Sequence, residues 1–149
     1  MLLNPSYTVY AGQPTLPNKP ASPTGEVVVP SAGQLRMRVR GGLPPRALRN
    51  VREFIEAHLE DNISIQALAA AAGLSMYHFA RAFKQSEGVS PHHYVVRRRV
   101  RRAQDLLAAT DLPLSEVALA AGFADQSHCA RQFREHVGVT PSSYRWSMR

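Results

Sequence analysis

Apolar residues recur at every third or fourth position through most of the chain that follows Leu43. This period places them on one face of an α-helix, so each such segment predicts an amphipathic helix with an inward stripe. The first helix is expected to end near residues 61–62, and the longest to run over residues 90–109. Their stripes are Leu48, Val51, Ile55 and Leu59 in the first and Val96, Val100, Ala103 and Leu107 in the longest.

A pattern of an alanine-rich helix, a glycine turn and a second helix occurs twice. Gly73 and Gly122 mark the two turns, and each is followed by a bulky apolar residue. The copies match at an offset of 49 residues before the turn and 50 after it, so the second copy has one extra residue there. An internal repeat of this kind decides the architecture. Residues matched after the turn include Arg81, Phe83, Gly88, Pro91 and Tyr94 in the first copy and Arg131, Phe133, Gly138, Pro141 and Tyr144 in the second.

The stripes and the repeat predict an all-α domain of seven helices over residues 43–149. In chain order, its later parts are a first helix-turn-helix unit at residues 64–88, a linker helix at 90–109, a second unit at 114–138 and a closing helix at 141–147. Ser90-Pro91 and Thr140-Pro141 each combine an N-cap with a proline in the first helical turn. Ser64 and Ser75 are the expected caps of two further helices.

Residues 1–42 are rich in proline, glycine, serine and threonine. Such a segment buries too little apolar surface to offset its chain entropy, so a mostly disordered N-terminal leader is expected. Within it, Leu35, Met37 and Val39 alternate with arginines, which is typical of a half-buried strand. Two alternatives to an unstructured leader therefore remain open, namely the edge of a β-domain and a basic arm that touches DNA phosphates.

Charge and cysteine content narrow the class of protein. The formal net charge is +7, but four of the 18 basic residues and one of the 11 acidic residues precede Leu43. The helical part is thus only mildly basic, which permits a polyanionic partner without requiring one. The single cysteine, Cys129, excludes an internal disulfide, and the sequence shows neither a membrane-spanning run nor a signal peptide. A cytoplasmic protein without membrane contact is expected.

The sequence holds no arrangement that indicates catalysis. A nucleophile with its base, paired carboxylates and a phosphate-cradling glycine loop are all missing, so an enzyme is not expected. His92 and His93 are adjacent, so their rings point apart and are poorly suited to a shared metal. Cys129 has no second thiol at useful spacing and is interpreted as a buried thiol. We therefore expect no cofactor, no metal and no small-molecule ligand site.

The second helix of each unit carries polar residues opposite its apolar face. Because arginine can bind guanine through two hydrogen bonds, matching arginines in two repeats favour base reading over a merely solvated surface. The outward residues, at about 100° per residue, are Tyr77, Arg81 and Lys84, flanked by Gln85, when Phe79 is inward. Counted from an inward Cys129, they are Ser127, Arg131 and Arg134, flanked by His128 and Glu135.

Helix starts and arginines supply candidates for phosphate contact. Helix N-termini attract anions, so the capping residues qualify, although capping alone would also explain them. The candidates are Ser75, Ser90 and Thr140, together with Lys84, Gln85 and Arg134. The linker helix carries a run of arginines that is interpreted as a solvated face with ion pairs, phosphate contact being the alternative. Arg99 lies near the apolar stripe, so a structural partner is expected for it.

The two repeats resemble the DNA-binding region of AraC/XylS-type transcriptional regulators. The resemblance rests on Ala-Ala-Gly-Phe-Ala-Asp-Gln-Ser-His-Cys-Ala-Arg-Gln-Phe-Arg, which begins at Ala120, and on the altered copy from Ala70 to Lys84. It covers about residues 43–146 and implies a bipartite domain with one base-reading helix in each unit. The family's base-reading positions fall on Tyr77, Ala80 and Arg81 in the first unit and on Gln126, Ser127 and Arg131, with His128 nearby, in the second.

Three features depart from the family pattern. Ala80 stands where many relatives carry a polar reader, which leaves contact with a thymine methyl group as its possible role. Cys129 occupies a position that is usually aromatic. Relatives commonly carry an effector-binding β-domain ahead of the DNA-binding region, and 42 proline-rich residues are too few for one.

The resulting hypothesis is a sequence-specific regulator of transcription that binds double-stranded DNA as a monomer. A linker helix of about 30 Å suits two adjacent major-groove segments, which lie about 34 Å apart. The resemblance further implies activation through contact with RNA polymerase. Three alternatives remain open: the DNA-binding part of a ligand-responsive regulator without its sensor domain, a non-specific architectural nucleic-acid-binding protein, and a protein-interaction module that has lost its readers.

Overall fold

The computed structural model describes residues 41–149, and these form seven α-helices without a strand. The all-α, seven-helix architecture expected from the sequence is confirmed. The predictions of a disordered leader, of a strand and of a basic arm concern residues that lie almost wholly outside the described part. The helices are α1 (Pro45–Ala57), α2 (Ile65–Ala72), α3 (Met76–Glu87), α4 (Pro91–Ala109), α5 (Leu114–Ala120), α6 (Gln126–Val137) and α7 (Pro141–Ser147).

Side-chain caps fix where five of these helices begin, and four of the caps are hydroxyl groups. Ser64, Ser75, Ser90 and Thr140 each accept a hydrogen bond from the backbone N–H three residues later, at 3.1 to 3.3 Å. The four predicted caps are therefore confirmed. Gly73 ends α2 in the left-handed region, at φ +74°, where a residue without a Cβ is favoured. Local sequence thus sets both ends of the first turn.

Helix α1 ends at Ala57, earlier than the apolar stripe predicted. His58 leaves the helical conformation at φ −123°, and its ring Nδ1 donates to the carbonyl oxygen of Phe54 at 2.8 Å. The turn that follows still carries Leu59 into the core, where it is buried. Three members of the predicted stripe, Val51, Ile55 and Leu59, are buried and Leu48 is half-buried, but the last member lies in a turn. In this turn, residues 59–61, the backbone carbonyl groups of Leu59 and Asp61 accept hydrogen bonds from Arg99 of α4.

The apolar side chains form two separate cores, one for each unit. The first core contains Val51, Ile55, Phe79 and Phe83, and the second contains Phe133 with its neighbours. Helix α4 contributes to both cores, but mainly to the second. Val95 belongs to the first core, whereas the predicted stripe of α4 belongs to the second. The stripe consists of Val96, Val100, Ala103 and Leu107. The linker helix is therefore packed along most of its length as part of the second unit.

The ordered body includes Gly42, which the sequence assigned to the leader. Gly42 is buried at φ +84°, and a Cβ added there would lie 2.5 Å from the hydroxyl oxygen of Ser86. The same hydroxyl accepts a hydrogen bond from the backbone N–H of Leu43 at 2.7 Å. This contact fastens the start of the domain to α3.

Candidate nucleic-acid interface

Two buried phenylalanines set the rotation of α3. Phe79 and Phe83 are fully buried with ring centroids 5.4 Å apart, so the opposite face of the helix turns to solvent. That face carries Tyr77, whose exposed fraction is 65%, and the exposed residues Arg81, Lys84 and Gln85. Ala80 is half-buried beside them. The predicted outward direction of these side chains is confirmed, while their contact with DNA stays a prediction.

Arg81 and Tyr77 already contact each other on this surface. The guanidinium Nη1 donates to the Tyr77 hydroxyl at 3.1 Å, and Cζ lies 5.6 Å from the centroid of the ring. A guanidinium carries five N–H donors, so one such bond leaves enough for a bidentate pair with a base. The two residues, one helical turn apart, thus form a composite group on the exposed face of α3.

Helix α6 presents the corresponding surface in the second unit. Cys129 and Phe133 are buried beneath it, and Gln126, Ser127 and Arg131 are exposed. Arg134 and Glu135 extend the exposed surface toward the C-terminal end of the helix. Asp125 caps helix α6, and its carboxylate accepts a hydrogen bond from the backbone N–H of His128 at 2.8 Å.

His128 differs from the other candidates on α6. Its ring packs edge-on against Phe123, with centroids 5.3 Å apart, and the residue is half-buried. The imidazole therefore covers the edge of the second core. The predicted contact of His128 with a base would involve only the accessible part of its ring, and this contact stays a prediction.

Met76 is an exposed apolar residue that the sequence analysis did not select. Its exposed fraction is 46%, and it is the first residue of α3. Its counterpart at an offset of 50 residues is Gln126, which is among the predicted readers. The repeat alignment was therefore a signal that could have identified it. An apolar side chain at this position can contact the methyl group of thymine.

The capping hydroxyls are already engaged in local hydrogen bonds. Ser75 Oγ also lies 2.9 Å from Nδ1 of His78, and Thr140 Oγ1 donates to Ser143 Oγ at 3.0 Å. Ser90 is exposed and bonds its own helix start. Capping thus accounts for the three residues, and their contact with phosphate stays a prediction.

The arginine run on α4 is largely bound to the protein itself. Arg98 forms two hydrogen bonds with the Glu56 carboxylate of α1, at 2.7 and 3.0 Å, and this bonding raises the pKa of Arg98. Nε of Arg101 lies 3.7 Å from the Asp105 carboxylate in an exposed ion pair, which contributes little to stability. The expected ion pairs with Asp105 and with a glutamate of the first helix are confirmed.

Side chains that could bind a metal ion are scattered over the described residues. Between residues 41 and 149, no three side chains among histidine, cysteine, aspartate and glutamate lie close enough together to hold a metal ion. The rings of His93 and His136 do approach each other, with centroids 5.2 Å apart.

Between residues 41 and 149, no helix has both the length and the apolar character that a bilayer crossing requires.

Cys129 should resist alkylation in the native protein. Burial raises the pKa of its thiol from 9.0 to about 11, so thiolate is scarce near pH 9. Iodoacetamide at that pH should modify the unfolded chain quickly and the folded chain slowly, which mass spectrometry with and without denaturant would measure. The same raised pKa implies stability that is complete below pH 9.0 and is lost as the pH rises toward 11. Equal alkylation rates in both states would contradict the buried thiol.

Two helix-turn-helix units, each with an exposed polar surface on its second helix and joined by one long helix, define a class of bipartite helix-turn-helix proteins. A family model described as a helix-turn-helix domain matches residues 68–147. Crystal structures give the same class. A transcriptional regulator from Chromobacterium violaceum with an AraC-type DNA-binding domain aligns with a TM-score of 0.65 and 30% identity, over 68% of this chain and 91% of that one.

Two further proteins extend the comparison. The DNA-binding domain of the global transcriptional factor AdpA, solved in complex with a target DNA, aligns with a TM-score of 0.66 and 32% identity over 69% of this chain and 93% of that chain. The probable transcriptional regulator LumQ of Photobacterium leiognathi is 37% identical over 99 residues, which are 66% of this chain and 40% of LumQ. The chain belongs to the AraC/XylS family, as the resemblance indicated. It spans about 40% of the length of LumQ.

Proposed function

We propose that this chain is a sequence-specific regulator of transcription that binds double-stranded DNA and reads two adjacent major-groove segments. The observation that carries the proposal is the equivalence of Arg81 and Arg131. Both are exposed, both occupy the same position of the repeat, and each lies two residues after a buried anchor, Phe79 or Cys129. The similar domain of AdpA was solved with DNA, which supports the same kind of partner here.

The readers in this proposal divide into two sets. Residues that contact base edges are Tyr77, Ala80, Arg81, Gln126, Ser127, His128 and Arg131, to which Met76 is added because it is exposed at the start of α3. Residues that contact phosphates are Ser75, Lys84, Gln85, Ser90, Arg134 and Thr140. The exposed members of the first set carry the specificity, whereas half-buried Ala80 and His128 contribute shape at the edges.

A single chain suffices for a bipartite site in this proposal. Helix α4 has 19 residues and is therefore about 28 Å long, close to the length of one turn of B-DNA, about 34 Å. The first unit packs on α4 through Val95, and the second packs along most of its length. In this proposal both reading helices face the same side of a duplex. Activation through contact with RNA polymerase is part of the proposal and rests on the family alone.

A second candidate is the DNA-binding region of a ligand-responsive regulator whose sensor lies elsewhere. The observation in its favour is that LumQ is about two and a half times as long as the segment it shares with this chain. The two candidates share the DNA-reading surface and differ in what controls it. Binding of DNA by this chain without any added small molecule would favour the first candidate.

Selection of bound sites from random duplexes, followed by footprinting, tests the main proposal. The expected result is a conserved site in two parts, protected on one side of the duplex. Binding should keep its sequence preference as salt is raised, because base contacts persist when phosphate contacts weaken. Enrichment of no sequence, with uniform loss of binding in salt, would indicate a non-specific architectural protein.

Replacing either arginine should relax base preference in one half of the site. Arg81→Ala and Arg131→Ala should each cost about 1–3 kcal/mol, because each removes a bidentate pair with a base. Fluorescence anisotropy on duplexes altered in one half-site would assign each arginine to its half. Arg49→Ala, on exposed α1 surface, is the matched control. If both variants weaken every duplex equally, the arginines contact phosphates and the assignment is wrong.

A further inference from the structure

Three segments that are distant in sequence meet beside α4. The turn at residues 59–61, which follows α1, presents its backbone carbonyls to Arg99. The guanidinium donates from Nε to the Leu59 oxygen at 2.9 Å and from Nη2 to the Asp61 oxygen at 2.6 Å. Burial lowers the pKa of Arg99, and these two carbonyls satisfy two donors that burial would otherwise leave without acceptors. Arg99 thus binds the linker helix to the first unit through backbone atoms.

Arg102, one helical turn further along α4, connects the same place to the second unit. Its Nε donates to the backbone oxygen of Ala120 at the end of α5, at 2.8 Å, and its Nη2 donates to the Glu60 carboxylate at 3.0 Å. One side chain therefore holds the turn after α1 and the turn of the second helix-turn-helix unit together. Both arginines offer their donors as a planar fork, which gives these contacts a defined direction.

Gly122 brings the two units into direct backbone proximity. It adopts φ +96°, and a Cβ added there would lie 1.9 Å from the Leu59 carbonyl oxygen and 2.7 Å from Nε of Arg99. The first unit therefore reaches the turn of the second so closely that no side chain fits between them. The contact involves loops and not the two cores, which remain separate.

We propose that this junction, formed by Arg99, Arg102, Gly122 and residues 59–61, holds the two units in one fixed orientation and thereby sets the half-site spacing that the protein selects on DNA. The effect on half-site spacing rests on the proposed function, whereas the fixed orientation of the two units does not. By itself, helix α4 fixes only the distance between the two units. The junction fixes the rotation of the first unit about that helix, because it attaches the far end of α1 to the second unit.

The orientation can be measured without DNA. Spin labels on Asn50→Cys in α1 and Ser115→Cys in α5, both exposed positions, report the distance between the units by pulsed electron resonance. The parent should give one narrow distance distribution, and Arg99→Met and Arg102→Met should broaden it. Arg101→Met, which removes only an exposed pair, is the control and should leave the distribution narrow. A narrow distribution in folded Arg99→Met and Arg102→Met would overturn the proposal.

The spacing can be measured on DNA. Each added base pair rotates one half-site by about 35°, so the parent should lose about tenfold in affinity when one base pair is inserted into its selected site. Arg99→Met and Arg102→Met should reduce that ratio to about twofold, while binding to a single half-site stays unchanged. An unchanged ratio alongside a broadened distribution would overturn the link to spacing. Circular dichroism identifies variants that fail to fold, and Arg102→Met, which removes one carbonyl contact and the exposed pair with Glu60, then decides the outcome. If the parent shows no sequence preference, the proposed function fails, and the distance measurement still decides the orientation.

Discussion

Val100→Pro should abolish the simultaneous binding of two half-sites and destabilise the domain by about 3 kcal/mol or more. Residue 100 lies in the interior of α4, where proline removes a helical hydrogen bond and clashes with the preceding turn. Val100 is also buried in the second core, so the kink would disturb packing as well. Because a domain of this size is stable by only about 5–15 kcal/mol, the loss is a large part of the total.

Chemical denaturation and footprinting would measure the two effects of Val100→Pro. Val100→Ala is the matched control, since it also shortens the buried side chain but keeps the helix, and it should retain a footprint over both half-sites. Survival of the complete footprint in Val100→Pro would show that a continuous α4 is not required for binding both half-sites.

Phe133→Ala should destabilise the second unit by about 3–5 kcal/mol, the usual cost of removing a buried aromatic ring. Phe133 is fully buried, and its ring meets Tyr144 of α7 edge-on with centroids 5.4 Å apart. Since the stripe of α4 belongs to the same core, the linker helix should lose protection together with α5 to α7. Phe79→Ala should cost a similar amount but act mainly on α1 to α3.

Hydrogen exchange resolved by residue would separate these two patterns. Protection of α4 should fall in Phe133→Ala and persist for most of its length in Phe79→Ala. Phe133→Leu, which fills much of the same volume, should lose less than either. Equal loss of protection throughout the domain in both alanine variants would show that the two cores unfold as one cooperative unit.

The features that the sequence predicted are those with a local signal. Caps such as Ser75 and Ser90, and buried anchors such as Phe79, depend on neighbours within one or two helical turns, and the repeat doubled each signal. The inward positions of α4 were also correct because a stripe needs no knowledge of what packs against it. The outward faces of α3 and α6 followed directly from these anchors.

The features that the sequence did not reveal depend on distant contacts. The structural partner expected for Arg99 is confirmed, but no periodic pattern marks which partner it is, because the turn after α1 lies about 40 residues away. The early end of α1 follows from a conformation that His58 adopts, although the apolar spacing continues to Leu59. Gly122 was recognised as a turn residue, but its close approach to Leu59 depends on how the two units are arranged.

In the proposed complex, the contact between Tyr77 and Arg81 would make the two halves of the molecule thermodynamically unequal as ligands of DNA. A long side chain that is already held in place loses less rotational freedom on association, and the saving is about 0.5–1.5 kcal/mol for each side chain ordered beforehand. Within residues 41–149, Arg131 has no comparable aromatic neighbour or hydrogen bond. The first half of a bipartite site would thus be recognised by a pre-organised group, and the second by one that becomes ordered only on arrival.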